Sequence, residues 1–242
     1  MNPRASRTVP FVSKATGVPL ARLAARIMAG EKLKDLDVPE NPPVAGVAVK
    51  EAAFPFNRFD VDVLLGPEMR STGEVMGFDD SFGMAFAKAQ VSAGNTLPEN
   101  GGNLYVTVND ADKATVTPIL RRFHDLGFKI MATKGTHEYL KRLGVPSERV
   151  NKVHEERPNI VDAVVSGNVQ LLINTPLGGP AQFDDYAMRR AAITYNIPYL
   201  TTMSATSAAC DALIALKTRA HSVKSLQERI ASVTPASAPT GD

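Results

Sequence analysis

From Asn103 onward the sequence repeats one pattern, a short apolar run followed by a longer segment of helical periodicity. Residues 104–108, 128–132, 150–153, 169–173 and 198–200 read as strands. Helices are expected from Asp110 to Leu126, from the Thr136 region to Leu143, and over 160–166, 185–196 and 205–218. Strands separated by helices pair through crossovers rather than tight hairpins, so they lie parallel. A parallel sheet is stable only with both faces covered. The run 169–173, apolar except for Gln170, fits a strand buried on both sides. The predicted fold class is α/β, a three-layer unit with a parallel sheet between helices.

The first hundred residues are less regular. Val18-Pro19 opens a helix whose apolar face is Leu20, Leu23, Ala24, Ile27 and Met28, with Gly30 placed to end it. Residues 8–12 are assigned no element. A Pro-marked turn at 40–43 precedes a short strand around Val47 and Val49, extended through 52–56. Residues 64–77 are dense in Gly and charge, which predicts surface loop and short strand; a helix follows over 81–91. The polar, Gly-rich stretch 94–102 is the expected linker. Residues 232–242, mostly Ala, Ser, Thr, Pro and Gly, are expected to be disordered. The expected organisation is therefore 1–93, a linker at 94–102, an α/β domain over 103–231, and a tail.

Charge and composition exclude several function classes. Lys plus Arg number 27 against 25 acidic residues, a net +2 that is too balanced for a nucleic-acid binder. A single cysteine, Cys210, excludes an internal disulfide framework and a Cys-based zinc cluster. No apolar run approaches the roughly 20 residues that span a bilayer. Met1 to Arg7 lacks the apolar centre of a secretion signal, so a soluble, cytoplasmic chain without membrane partners is expected.

In open parallel sheets, ligands collect beyond the carboxyl ends of the strands. Thr133-Lys134-Gly135-Thr136 offers two hydroxyls, a glycine and free N–H groups at a helix start, the parts of a phosphate site. A hydroxyl there could equally cap the helix. Asn174-Thr175-Pro176 offers an amide to a ligand, or a turn bonded to its own backbone. Lys152 is either a ligand contact or a solvated charge. Thr107 ends the first strand of the series, and Lys113 sits in a first helical turn, where a cation opposes the helix dipole and a bound phosphate would remove the conflict. His124, His137 and His154 lack zinc-ligand spacing, His154 and Glu155 could pair as acid and base, and Cys210 reads as a small packed hydrophobe.

Two motifs carry a family resemblance. Asn2-Pro3-Arg4-Ala5-Ser6-Arg7-Thr8-Val9-Pro10-Phe11-Val12-Ser13-Lys14 resembles the end of an ATP-grasp catalytic domain in the large subunit of carbamoyl phosphate synthetase. Residues Leu65 to Gly77, with Gly66-Pro67-Glu68-Met69-Arg70, are similarly characteristic. The region from Asn103 resembles that subunit's allosteric domain, of methylglyoxal-synthase-like fold, through Asn151 to Glu155 and Asp184 to Arg190.

The resemblance implies that Asn2 takes the place of a ligand to Mg²⁺ or Mn²⁺, and that Arg4 and Arg7 lie where phosphate groups bind. The family's Glu before that Asn has no counterpart after Met1. One Asn cannot hold a divalent cation strongly. Catalysis by this chain alone, and a cofactor of its own, are therefore not expected; ATP and the metal belong to the intact parent, and the chain is read as a truncation or one part of a split protein. The resemblance further implies a nucleotide pocket at Thr107, Lys113, Thr133, Thr136, Lys152 and Asn174, with UMP and IMP as effectors. It implies an ornithine-type site at Glu51, Tyr199 and Thr201. Partners implied are the rest of the large subunit, the glutaminase small subunit and further copies in an oligomer, in pyrimidine and arginine biosynthesis. Pro176, Gly179 and Pro180 replace a hydroxyl and two arginines of some members, which weakens the case for UMP and IMP in particular. A methylglyoxal-synthase-like lyase is the alternative, but only Asp184 offers itself as a base, and it is expected to cap the helix at 185. An oligomerisation module is the third reading. Phe11, Phe54, Phe56 and Phe59 are expected to lie exposed and to favour poor solubility or partner binding.

Overall fold

A computed structural model describes residues 7–54, 73–175 and 179–232, with backbone alone for 179–184. The elements run α1 (Thr8–Thr16), α2 (Leu20–Met28), β1 (Val47–Ala53), β2 (Gly73–Asp79), α3 (Phe82–Ala93), β3 (Gly102–Val108), α4 (Lys113–Asp125), β4 (Phe128–Ala132) and α5 (Lys134–Arg142). They continue β5 (Glu148–Arg149), α6 (Ile160–Val165), β6 (Leu171–Thr175), α7 (Gly179–Thr194), β7 (Tyr199–Leu200), α8 (Met203–Thr218) and α9 (Leu226–Ala231). The expected parallel sheet is present, five strands in the order β5–β4–β3–β6–β7, with every pair parallel.

Alternation along the central strands divides the core into two layers. Leu104, Val106 and Val108 of β3, with Leu171 and Ile173 of β6, face a cluster that includes Leu120 and Phe123 of α4 and Leu213 of α8. Tyr105 and Leu172 face the opposite side, against Ile160 and Val164 of α6 and Met188 and Ala192 of α7. Leu104, Leu171, Leu172 and Ile173 are fully buried. Each such side chain stabilises the fold by about 1.5–3 kcal/mol relative to exposure. The α4-side cluster also takes in Phe86, Ala87 and Leu97, so it runs across the 94–102 segment.

Ahead of this unit, β1 and β2 form an antiparallel pair, with Val47 opposite Asp79 and Ala53 opposite Gly73. Helix α3 lies against β2 so closely that a Cβ on Gly77 would stand 1.9 Å from the Ala85 carbonyl oxygen. The other side of α3 meets α8, where a Cβ on Gly83 would stand 2.6 Å from the Asp211 carbonyl. Asp79, nearly fully buried, accepts from Lys88 at 2.6 Å and from Arg219, tying β2 to α3 and to the segment after α8. Burial alone would raise the Asp79 pKa, but these cations and the Asp80 N–H outweigh it and hold the carboxyl below its ordinary value.

Several element boundaries differ from expectation. Helix α1 was assigned no element; its Pro10 falls in the first turn, where an N–H has no intrahelical partner anyway. Gly17, at φ 76°, closes that helix in the left-handed conformation. Helix α2 begins after Pro19, not at it. Asp110 does not cap a helix: Asn109 caps a short 3-10 turn over Asp110–Asp112 and α4 starts at Lys113. No strand forms at 150–153, which holds only an isolated bridge between Asn151 and Asn159; the two-residue β5 lies just before it, and β6 begins two residues later than expected. Helix α7 begins at Gly179, so Asp184 lies inside it rather than capping it. Helix α9 was not anticipated, although Ser225 and Glu228 form a capping box that signals it. Asn2, Arg4, Phe56, Phe59, residues 64–72, Pro176 and the 233–242 tail lie outside the described residues. No described helix is long and apolar enough to cross a membrane.

Candidate effector site

The strand order places β4 on one side of β3 and β6 on the other, so consecutive connections diverge at the β3–β6 boundary. A crevice opens beyond the carboxyl ends there. Thr107 and Asn174 are paired residues across that boundary. Thr133 extends the β4 end, its N–H donating to the Val106 carbonyl at 3.3 Å. The crevice is a cavity of about 420 Å³, and Thr107, Lys113, Thr133, Thr136, Lys152 and Asn174 all line it. Its volume lies in the range of small-molecule sites.

Thr133 and Asn174 do not take the local roles of helix cap and turn that the sequence also allows them. Thr133 makes no cap bond to α5; its hydroxyl is within 3.3 Å of the Thr107 hydroxyl and 3.4 Å of the Thr136 hydroxyl. Asn174 does not close a turn on its own backbone, since its amide nitrogen donates to Asp185 at 2.7 Å and to Tyr199. The Thr175 hydroxyl is instead met by Asn109. Gly135 leaves room for the Lys113 ammonium, which would stand 3.4 Å from a Cβ there. Lys113 is mostly buried and ion-paired at 2.6 Å to Asp110, itself 94% exposed. The conflict between Lys113 and the helix dipole is thus already eased by a carboxylate on the solvent side. The hydrogen bond and charge of Lys113 hold the Asp110 carboxyl below its usual range. Lys152 lines the cavity and has no ion pair among the described residues. Two ammonium groups, three hydroxyls and the first N–H groups of α5 therefore face one cavity, the kinds of group that hold an anion.

A second cavity, of about 350 Å³, collects Glu51, Tyr199 and Thr201, the three residues expected at an ornithine-type site. Glu51 accepts from Gln90 Nε2 at 3.0 Å, and burial raises its pKa above the ordinary value. A carboxylate so placed gains from a cation brought to it. Burial, then the hydrogen bond to Asp185, pushes the Tyr199 hydroxyl well above its usual range. Arg7 stands at the start of α1 and lines neither cavity.

Two residues of the candidate site's surroundings escaped the sequence. Asp185, 4% exposed, joins Asn174, Tyr199 and Arg189. Its spacing of four from Arg189 signals a helical ion pair, but nothing in the sequence links it to Asn174. Asp110 appeared only as a helix cap, and it lines the first cavity. The described residues hold no group of three potential metal ligands. His137 Nδ1 is 3.0 Å from the Ser147 hydroxyl, and buried Cys210 has its thiol pKa pushed up to about 11 by burial.

Comparison with known proteins fits this geometry. Residues 115–201 match the MGS-like domain, and residues 1–36 match the carbamoyl-phosphate synthase L chain, ATP binding domain. The carbamoyl phosphate synthase large chain of Gemmatimonas aurantiaca is 53% identical over 229 residues, 94% of this chain and 21% of that protein. Those of a Nostoc species and of Mesorhizobium japonicum are each 50% identical, over 94% and 96% of this chain and 21% and 20% of theirs. This chain thus spans about a fifth of the length of the curated relatives it matches. The order of the two domain matches and the identity along nearly the whole chain lead to one assignment: the chain belongs to the carbamoyl phosphate synthase large-chain family, matching its C-terminal portion of ATP-grasp tail and allosteric MGS-like domain.

Proposed function

We propose that the cavity at the β3–β6 boundary binds a nucleoside monophosphate of the UMP or IMP type, and that this binding regulates an ATP- and Mg²⁺-dependent ligase forming carbamoyl phosphate in the cytoplasm. The observation that carries the reading is the convergence of Thr107, Lys113, Thr133, Thr136, Lys152 and Asn174 on one crevice. Phosphate oxygens sit at the Thr133–Thr136 end between Lys113 and Lys152, and the nucleoside extends toward Asn174. The second cavity takes an amino-acid amine of the ornithine type, drawn by Glu51. The catalytic machinery, the glutaminase small subunit and the oligomer complete the regulated enzyme. Regulation then follows if the ligand binds two states of that enzyme unequally.

The test is calorimetric titration of the chain with UMP, IMP and inorganic phosphate. Lys152→Ala is expected to weaken the nucleotides by about tenfold or more, the loss of one charge-assisted contact. Asp110→Asn is expected to tighten them severalfold, because the phosphate no longer competes with a carboxylate for Lys113. A folded chain that releases no heat with any of the three ligands sinks the reading. For the lyase alternative, Asp110 is the carboxylate among the described residues that line the cavity, and the side chain of Asp184 lies outside them. A carboxylate held below its usual pKa by an ammonium is a weak base, which disfavours that chemistry.

A further inference from the structure

One hydrogen-bonded cluster reaches both cavities, with Asn174 lining the first and Tyr199 and Arg189 lining the second. Asn174 and Asp185 are 3% and 4% exposed. Asn174 Nδ2 donates to Asp185 Oδ1 at 2.7 Å and also to the Tyr199 hydroxyl. That hydroxyl in turn donates to the same Asp185 oxygen at 2.6 Å. Arg189 holds the carboxylate from one turn further along α7, at 2.9 Å.

The direction of these bonds decides what Asn174 can offer. A carboxylate paired with a guanidinium only accepts, so the amide atom turned toward it must be nitrogen. With the phenol hydrogen directed at Asp185, the phenol oxygen accepts from Asn174 as well. The two acceptors stand 2.6 Å from each other, so they share one amide hydrogen, and the nitrogen end of the amide is held in the cluster. With the nitrogen end fixed there, the end of the amide left to the cavity that Asn174 lines is its carbonyl oxygen, which has no protein donor among the described residues.

We infer that Asp185 is a positioning residue that fixes Asn174 as a hydrogen-bond acceptor, so that the cavity selects phosphate monoesters carrying a hydroxyl or N–H donor at the far end. The inference rests on the phosphate-binding reading above. Scale supports it. Thr133 ends β4 and Asn174 belongs to β6, with β3 between them. Two strand spacings separate them by about 10 Å. Free phosphate is too small to touch both ends, whereas a nucleoside monophosphate is long enough. If the carboxylate becomes an amide, the neighbour of Asn174 can donate as well as accept. Its orientation is then no longer dictated.

The experiment titrates the full chain and its Asp185→Asn variant with UMP and with tetrahydrofurfuryl phosphate, which has the phosphate and ring but no donor beyond them. The wild-type chain is expected to prefer UMP by about tenfold, the scale of one hydrogen bond in a desolvated site. Asp185→Asn is expected to remove most of that preference while leaving tetrahydrofurfuryl phosphate within about twofold. Equal weakening of both ligands would mean that Asp185 only supports the fold, and would overturn the inference, as would no change in the preference. Tyr199→Phe, which removes one of the two acceptors, is expected to act in the same direction more weakly, and it stands in if Asp185→Asn does not fold. Exchange of the Asn174 side-chain amide hydrogens, followed by NMR without ligand, separates the two ideas. Protection in the wild type that Asp185→Asn abolishes supports the positioning even if neither phosphate binds, in which case only the phosphate reading has failed. Unprotected hydrogens in the wild type overturn the positioning whatever binds.

Discussion

Helices α1 and α2 contain no buried residue, whereas every residue of β6 is buried. Both regions are rich in apolar side chains, so composition does not separate them. Helix α2 carries an apolar face, yet Ile27 is 40% exposed and Met28 89%, and Leu33 just beyond is 61% exposed. Val18 and Leu36, each less than a tenth exposed, are the inward anchors of this segment. Amphipathic periodicity is enough to shape a helix, but a short helix gains most of its stability from what covers that face. In the sheet unit the covering layer is built in. In the N-terminal segment, matched by the ATP binding domain model over 1–36, the described residues supply only part of it.

The contrast predicts very different costs for similar truncations. Leu104→Ala, at the centre of β3 with no exposed surface, is expected to cost about 2–5 kcal/mol. Ile27→Ala is expected to stay within about 0.5 kcal/mol. Urea unfolding of the two variants measures both. If Ile27→Ala costs as much as Leu104→Ala, the α2 face is covered in solution, and the contrast breaks.

A sharper version concerns the joint between the regions, where Asp79 of β2 meets Lys88 and Arg219. Asp79→Asn leaves Lys88 without its carboxylate, and Arg219, 45% exposed, recovers water. The expected cost at neutral pH is about 2 kcal/mol, below the range for fully buried pairs for that reason. Because the folded pKa of Asp79 lies below its ordinary 3.8, its contribution is present above that value and is lost as pH falls through the folded pKa. The gap between wild type and variant should therefore close on acidification. A gap that persists well below pH 3.8 would assign the loss to packing rather than to charge.

Glu51 has the opposite sign and a smaller effect. Its folded pKa is raised, by burial first, so ionising it costs stability as pH rises from its ordinary 4.5 through the folded value. Glu51→Gln removes that cost. It is expected to stabilise the chain by less than about 1 kcal/mol at neutral pH and by nothing in acid. An amine bound in the second cavity should offset the same cost in the wild type alone, which thermal unfolding with and without ornithine would show.

What the sequence made legible follows the same division. Strand and helix types in the sheet unit were readable because each apolar run must be covered on both faces, and that leaves few topologies. That Thr107, Thr133 and Asn174 share one crevice was readable because a parallel sheet puts its carboxyl termini together. Asp185 was not readable: its role depends on α7 beginning at Gly179 and turning that side chain toward Asn174 and Tyr199, a tertiary relation without local pattern. Asp110 was misplaced by a 3-10 turn, which moves the helix start to Lys113 and frees the carboxylate to pair with it. Helix α1 was missed because a proline in a first turn looks the same as a proline in a loop.

The smallest expected effect tests whether the two regions open independently. Cys210 lies in α8 with no exposed surface, and burial lifts its thiol pKa to about 11. At pH 7 only about one thiol in ten thousand is then ionised, and a reagent must wait for α8 to open. Native labelling of Cys210 should be slow, and Leu104→Ala should speed it by lowering the cost of that opening. Ile27→Ala should leave the rate unchanged, since fraying of α2 does not uncover α8. Faster labelling in Ile27→Ala would mean that the N-terminal helices and the sheet unit unfold as one cooperative body, even though neither helix buries a residue of its own.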